Sequence, residues 1–208
     1  PLIEDVLTPG SADYRDAIWL PGEPGTIHQN SNIGMVLLAW IVERLSGIHY
    51  IDYAKTFIFL PLGMTATSHY FPDLDPNEVA PLFNTANQQV GQTSTWFYPI
   101  SGLFTSTGDW ANFLRAILAG GTYNGTRILE QASVDAMLAM TTPANNQLAY
   151  QSNIGLVWRE AAANPGWFGH TGAGSQMTHV TELNPATGTG YVLFTNEGLI
   201  DALVGPGS

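Results

Sequence analysis

Trp167–Ser175 reads Trp-Phe-Gly-His-Thr-Gly-Ala-Gly-Ser, and its centre, His170-Thr171-Gly172, holds the residue types best suited to chemistry. A polar, chargeable side chain followed by Thr-Gly on a strand lets a substrate lie flat along the backbone. The glycine removes the Cβ that would block close approach, while hydroxyl and backbone groups stay available for hydrogen bonding. On this stretch alone, a hairpin with a satisfied structural His is the plainer account. Metal chemistry finds little support. His28, His49, His69, His170 and His179 show no i,i+4 pairing and no Glu-bearing zinc motif. Cysteine is absent, which excludes thiolate catalysis, disulfides and cysteine-ligated zinc together. No metal and no cofactor is expected. No pair of carboxylates stands out, and no Gly-x-Ser-x-Gly elbow, P-loop or Gly-x-Gly-x-x-Gly pattern occurs.

The element that must carry this motif is a hairpin. Met177–Leu183 and Gly190–Asn196 have strand lengths and are rich in Thr, Val, Tyr and Phe. Between them, Pro185 suits the second position of a type I turn and Gly188 the positive φ of the loop's end. Upstream, Ser31 or Asn32 caps a helix over Ile33–Ser46 that Gly47 ends. That helix is apolar nearly all round, which predicts a core position and the deepest burial of any helix. A second helix spans Tyr50–Phe59 before Pro61 and Gly63, where core positions suit Tyr50 and Tyr53. Thr65–Thr95 reads as a long irregular excursion. Ser106-Thr107-Gly108-Asp109 resembles a capping box, and Trp110, Phe113, Leu114, Ile117 and Leu118 follow at helical spacing. Another helix covers Glu130–Met140. Helices followed by a terminal sheet predict an α+β fold: residues 27–142 mainly helical and 153–196 an antiparallel sheet, within one domain over 1–208.

Composition narrows the partners. The net charge of −11 opposes a nucleic-acid groove or an anionic membrane, and no apolar run is long enough to span a bilayer. A small-molecule or peptide substrate is expected instead. Absent cysteine and a Thr/Asn-rich acidic surface lean towards a secreted or periplasmic protein without fixing the compartment. The chain opens on Pro1, read as processing or trimming at the N-terminus.

Four stretches, taken in order, carry a family resemblance. Pro24-Gly25-Thr26 with Asn30-Ser31-Asn32 leads into the apolar helix ending Glu43-Arg44-Leu45-Ser46-Gly47. Phe59-Leu60-Pro61-Leu62-Gly63-Met64-Thr65 follows, then Ser101-Gly102-Leu103 with the Asp109 helix, then Gly169-His170-Thr171-Gly172 with its hairpin. Together they resemble the serine β-lactamase-like family of class C β-lactamases, penicillin-binding DD-peptidases, D-aminopeptidases and esterases. The resemblance covers nearly the whole chain and implies a truncated β-lactamase/transpeptidase-like fold. It also implies acyl transfer by a Ser in a Ser-x-x-Lys motif, assisted by a Tyr-x-Asn motif.

Carried over, Asn32 is the Asn of the second motif, His170-Thr171-Gly172 the substrate strand, and the N–H of Ala173 the oxyanion donor. Asn30, Asn32 and His170 are therefore expected to face one cleft. A His in place of Lys is a poorer carboxylate anchor, which favours esters or peptides over classical β-lactams. Two departures stand out. The single lysine, Lys55, has Asp52 at the required spacing, so no Ser-x-x-Lys exists here, and Asn30 stands where the family has Tyr. The implied picture is a serine hydrolase lacking its nucleophile segment. The alternative is a degenerate member that binds without catalysing. With that segment absent, a missing piece or a second copy is expected to cover the sheet.

Overall fold

The computed structural model describes residues 3–23, 26–28, 30–84, 86–91, 98–140, 145–146, 154–161, 164–174 and 177–196. The expectations placed on Pro24-Gly25, Thr93–Thr95, Asn153 and Ser175 lie outside these residues. In the N-terminal part, α1 (Ile3–Leu7) is joined to α2 (Asn32–Ser46) by an Arg44–Glu4 ion pair across 3.5 Å. The two-residue strand β1 (Ile27–His28) pairs in parallel with β6 (Asn145–Asn146). Ser31 caps α2: its Oγ accepts from the Gly34 N–H at 3.0 Å, and Gly47, left-handed at φ 70°, ends the helix.

The expected depth of α2 is not observed. Only Ala39 is buried, whereas Leu38 is 53% and Leu45 84% exposed. An all-round apolar pattern states that a helix needs cover. Among the described residues, α2 packs on α1 and on α3 (Tyr50–Ala54), which leaves much of its surface open. The second helix runs over Tyr50–Phe59 as its pattern suggests, but not as α-helix throughout. At Lys55–Phe59 it widens into a π turn, in which the Leu60 N–H donates to the Lys55 carbonyl at 3.0 Å. The wide turn swings Phe59 into a cluster with Ala54, Leu62, Met64 and Ala116.

Residues 65–91 are largely irregular, with one short pair, β2 (Leu82–Phe83) and β3 (Gln89–Val90). They are held by α4 (Thr107–Leu118). Ser106 Oγ accepts from the Asp109 N–H at 3.1 Å, as a capping residue should. Asp109 does not complete the box. Its Oδ2 instead accepts from the Ala66 N–H and from Thr67 Oγ1, each at 2.8 Å. The carboxylate thus ends the irregular excursion rather than capping its own helix. α4 is the central helix: Ala116 enters the first cluster, while Leu114 and Ile117 join Val134, Trp158 and Leu183 in a second. Behind it lie the hairpin β4 (Thr122–Tyr123) with β5 (Thr126–Arg127), and α5 (Gln131–Leu138), two residues shorter at its C-terminal end than expected.

The sheet has the order β10-β9-β8-β7, all antiparallel, from β7 (Arg159–Glu160), β8 (Phe168–Gly174), β9 (Met177–Asn184) and β10 (Thr189–Thr195). The β9–β10 turn forms as its residues predict. Asn184 Oδ1 accepts from the N–H groups of Ala186 and Thr187, and Gly188 sits at φ 67°. α4 packs on β9 and β10, and Trp110 Nε1 donates to Thr181 Oγ1 at 3.0 Å.

β7 is short for a reason visible in its backbone. Arg159 pairs with Gly169, so straight continuation would set Val157 opposite Thr171. Instead the chain folds back: the Gly155 N–H donates to the Trp158 carbonyl at 2.8 Å, and Ile154 bridges to Arg159. Val157 takes φ 137° in that turn, a region closed to β-branched residues at rest. Such a conformation costs about 1–3 kcal/mol. Val157→Gly should keep the turn and relieve that cost, less about 0.5–1 kcal/mol of glycine entropy. The expected result is a Tm higher by roughly 2–4 °C per kcal/mol gained, read by calorimetry.

A second prediction concerns acid stability. His69 is 5% exposed, lies between the rings of Tyr50 and Phe59, and its Nδ1 has no partner. Burial holds its pKa below the ordinary 6.5. The unfolded chain therefore binds this proton first, so the stabilisation is complete above about pH 6.5 and is lost as pH falls towards the lower folded value. Tm should fall between pH 7 and pH 5, and His69→Phe should flatten that slope.

Candidate active site

The strand β8 is bonded along its whole length to β9 but meets β7 only through Phe168 and Gly169. The Ala161 N–H donates to the Trp167 carbonyl, which makes 161–167 and, two residues on, 159–169 the hydrogen-bonded pairs of this ladder. By alternation, the backbone groups of Thr171 and Ala173 point to the same side as those of Gly169. Beyond Gly169 no described strand occupies that side. Among the described residues, the N–H groups of Thr171 and Ala173, about 7 Å apart along the strand, therefore have no strand partner on that side.

Gly172 is glycine for want of room rather than for its φ. A Cβ there would lie 2.0 Å from Cε1 and 2.3 Å from Nε2 of His179, its cross-strand partner. The His179 ring fills the space, set edge-on to Phe194, and burial lowers its pKa. Counting residues back from the β8–β9 turn could have found this pair in the sequence, since 174 opposite 177 fixes 172 opposite 179.

His170 shares a face with Gly172, His179 and Thr181, by strand alternation and register. It is exposed, and its Nδ1 bonds the carbonyl of Thr171. A carbonyl only accepts, so Nδ1 carries the proton and the neutral ring has its lone pair on Nε2. Desolvation by the surrounding chain lowers the pKa of His170, the guanidinium of Arg159 lowers it further, and the Thr171 carbonyl pulls the other way. The ring is thus biased to the neutral form. Arg159, on the neighbouring strand, gave no signal in sequence because its placement depends on the turn at Val157.

Asn30 and Asn32 lie at the exposed N-terminal end of α2. Among the described residues, no hydrogen bond, ion pair or ring contact joins either of them to His170–Ala173. Lys55, the only lysine, is engaged elsewhere: its Nζ is 2.9 Å from Asp73 Oδ2, which also accepts from Ser68 Oγ. No group of three or more metal-ligating side chains is found among the described residues. Among the described residues, no single helix is long and apolar enough to cross a membrane, although α2 and the helix after it together have that length and composition as a pair bent by 78°.

Comparison with known proteins extends these observations. A protein of Escherichia coli (strain K12), provisionally named a D-alanyl-D-alanine carboxypeptidase, is 27% identical over 200 residues, covering 79% of this chain and 44% of that protein. The chain thus spans less than half the length of that curated relative. Among solved structures, an octameric penicillin-binding protein homologue from Pyrococcus abyssi superposes with a TM-score of 0.68 at 19% identity, covering 94% of this chain and 47% of the other. A D-amino acid amidase from Ochrobactrum anthropi SV3 gives 0.61 at 23% identity, covering 81% and 50%. These likenesses show the fold, a helical part with an antiparallel sheet. The family model described as Beta-lactamase matches residues 8–200, and the chain belongs to the beta-lactamase family.

Proposed function

We propose that this chain is the substrate-strand part of a serine acyl hydrolase acting on an ester, a peptide or related amide, or a lactam. The open side of Thr171 and Ala173 carries this reading. An extended acyl substrate completes the sheet there by pairing with backbone groups, and an N–H fixed on a rigid strand meets the charge that develops on its carbonyl oxygen. Ala173 is the oxyanion donor in this reading, with Thr171 and Gly172 binding the substrate edge. Asn32, at the start of α2, orients the substrate or the attacking group from the helical side. The nucleophile is a Ser in a Ser-x-x-Lys motif borne by polypeptide outside these 208 residues. The shares of 44% and 47% covered in the relatives leave room for it.

Asn30 supports a second reading, in which the groove binds an acyl compound without turning it over. The family's Tyr at that position moves a proton, and an amide cannot. A serine-directed penicillin or phosphonate separates the two. The 208-residue chain should remain unlabelled by mass spectrometry, while the full-length protein should be labelled at a serine outside it and hydrolyse esters. Stoichiometric label at Ser31 or Ser101 would overturn the assignment, and a full-length protein that binds but neither labels nor hydrolyses would establish the binding reading.

The strand itself gives a further prediction. Gly172→Ala should force the His179 ring aside at a cost of about 1–3 kcal/mol and weaken acyl-compound binding. His179→Ala in the same chain should recover most of that loss, a coupling that a double-mutant cycle would measure.

A further inference from the structure

Core packing does not account for Leu156 and Val157. They are 63% and 43% exposed, and Val157 holds φ 137°, a conformation that a β-branched side chain resists. Glycine takes the same conformation without that cost. The turn that carries the two side chains is nevertheless firmly built. The Gly155 N–H donates to the Trp158 carbonyl at 2.8 Å, and the Leu156 N–H donates to the Met137 carbonyl at 3.3 Å. Gly155 lies so close to the end of α5 that a Cβ there would come within 2.5 Å of the Met137 carbonyl oxygen. On its other flank Trp158 is 6% exposed and packs with Leu114, Ile117, Val134 and Leu183. Two apolar side chains are thus held out to solvent on a rigid mount.

Register gives the place of that mount. Arg159 pairs with Gly169, so Trp158 comes level with His170, and the tip of the turn follows at the level of Thr171. Ile154 bridges back to Arg159, which closes the turn to four residues. The tip therefore stands where β7 leaves the edge of β8, and among the described residues no strand pairs with Thr171–Gly174 from that side. A substrate laid along this edge with its carbonyl at the Ala173 N–H reaches Thr171 about 7 Å further on, and there it meets the tip. We infer that Leu156 and Val157 are specificity-determining residues, an apolar subsite for a hydrophobic group about two residues' length from the reacting carbonyl. The inference rests on the acyl-transfer reading above and narrows its substrate class to esters or amides that carry an aliphatic or aromatic group at that distance. Ile154–Val157 bear no polar side chain, so a charged substituent finds no partner on the tip. Each methylene fully removed from water there favours binding by about fourfold. That gain accounts for an exposed valine kept against its own backbone preference.

Two ester series test the assignment in the full-length protein, one lengthened in the acyl group from acetate to hexanoate and one lengthened in the alcohol from methyl to hexyl. Proton release on hydrolysis gives kcat and KM for each member. Along one series kcat/KM should rise about 10-fold or more, mainly through KM. Leu156→Ser should flatten that rise by about threefold or more, and Leu156→Met, which stays apolar, should keep it. Should Leu156→Ser lose its near-UV circular dichroism, Val157→Gly carries the same comparison, because glycine suits the turn. Hydrolysis with no rise along either series would overturn the subsite and leave the acyl-transfer reading standing. So would a rise unchanged in the serine and glycine variants, or one lost equally in Leu156→Met, which would give the turn a structural role only. A full-length protein that hydrolyses no member of either series, nor an amide or lactam, would overturn the acyl-transfer reading and the subsite with it.

Discussion

Asp109 and Trp110, neighbours in sequence, project from α4 towards different partners. Asp109 fastens the 66–67 backbone and hydroxyl, and Trp110 bonds Thr181 in the middle strand of the four-strand sheet. A carboxylate that is 9% exposed is costly unless it is hydrogen-bonded, so the first contact, made at Oδ2, fixes the helix against the irregular segment. The second fixes the same helix against the sheet. Much of what places β8 relative to the helical part passes through this helix, since β8 is held by β9 and β9 lies on α4. The clusters on its two flanks supply the apolar burial, while these polar contacts set the register in which that burial occurs.

The parts of the fold that depend on local signals were readable in the sequence. The cap at Ser31, the stop at Gly47, the Ser106 cap and the Asn184–Gly188 turn all follow from side chains acting within a few residues. The His-Thr-Gly strand was readable for the same reason. What escaped depends on distant partners. Asp109 looks like half of a capping box, yet two donors from residues 66 and 67 compete for its carboxylate and win. The π turn at Lys55–Phe59 arises from where Phe59 must pack, which no propensity encodes. Arg159 beside His170, and His179 beneath Gly172, follow from strand register. The second of these could have been counted out from the hairpin; the first could not.

α2 shows the limit of the apolar pattern most clearly. Its composition is that of a core helix, and the structure gives it a single buried residue, Ala39. Hydrophobic periodicity records what a segment needs to bury, and says nothing about which polypeptide supplies the cover. Leu38, Ile41 and Leu45 recur at i, i+3 and i+7 along an exposed face, a spacing that suits another helix. Asn30 and Asn32 at its N-terminus therefore stand on an element much of whose surface is uncovered among the described residues.

The turn at Gly155–Trp158 has a further meaning for the molecule. A β-sheet is an open-ended polymer of strands, and each edge invites the next to add. Here addition at β8 is arrested after two residues because the chain doubles back at Val157, against that residue's own preference. Among the described residues, β7 thus ends at that turn before it reaches Thr171 and Ala173. Lengthening or shortening β7 would change how much of the β8 edge is paired without altering any residue of β8. The pairing of that edge can therefore change through a peripheral turn while the sequence of the strand itself stays fixed, which separates the evolution of an edge from the evolution of the strand that bears it.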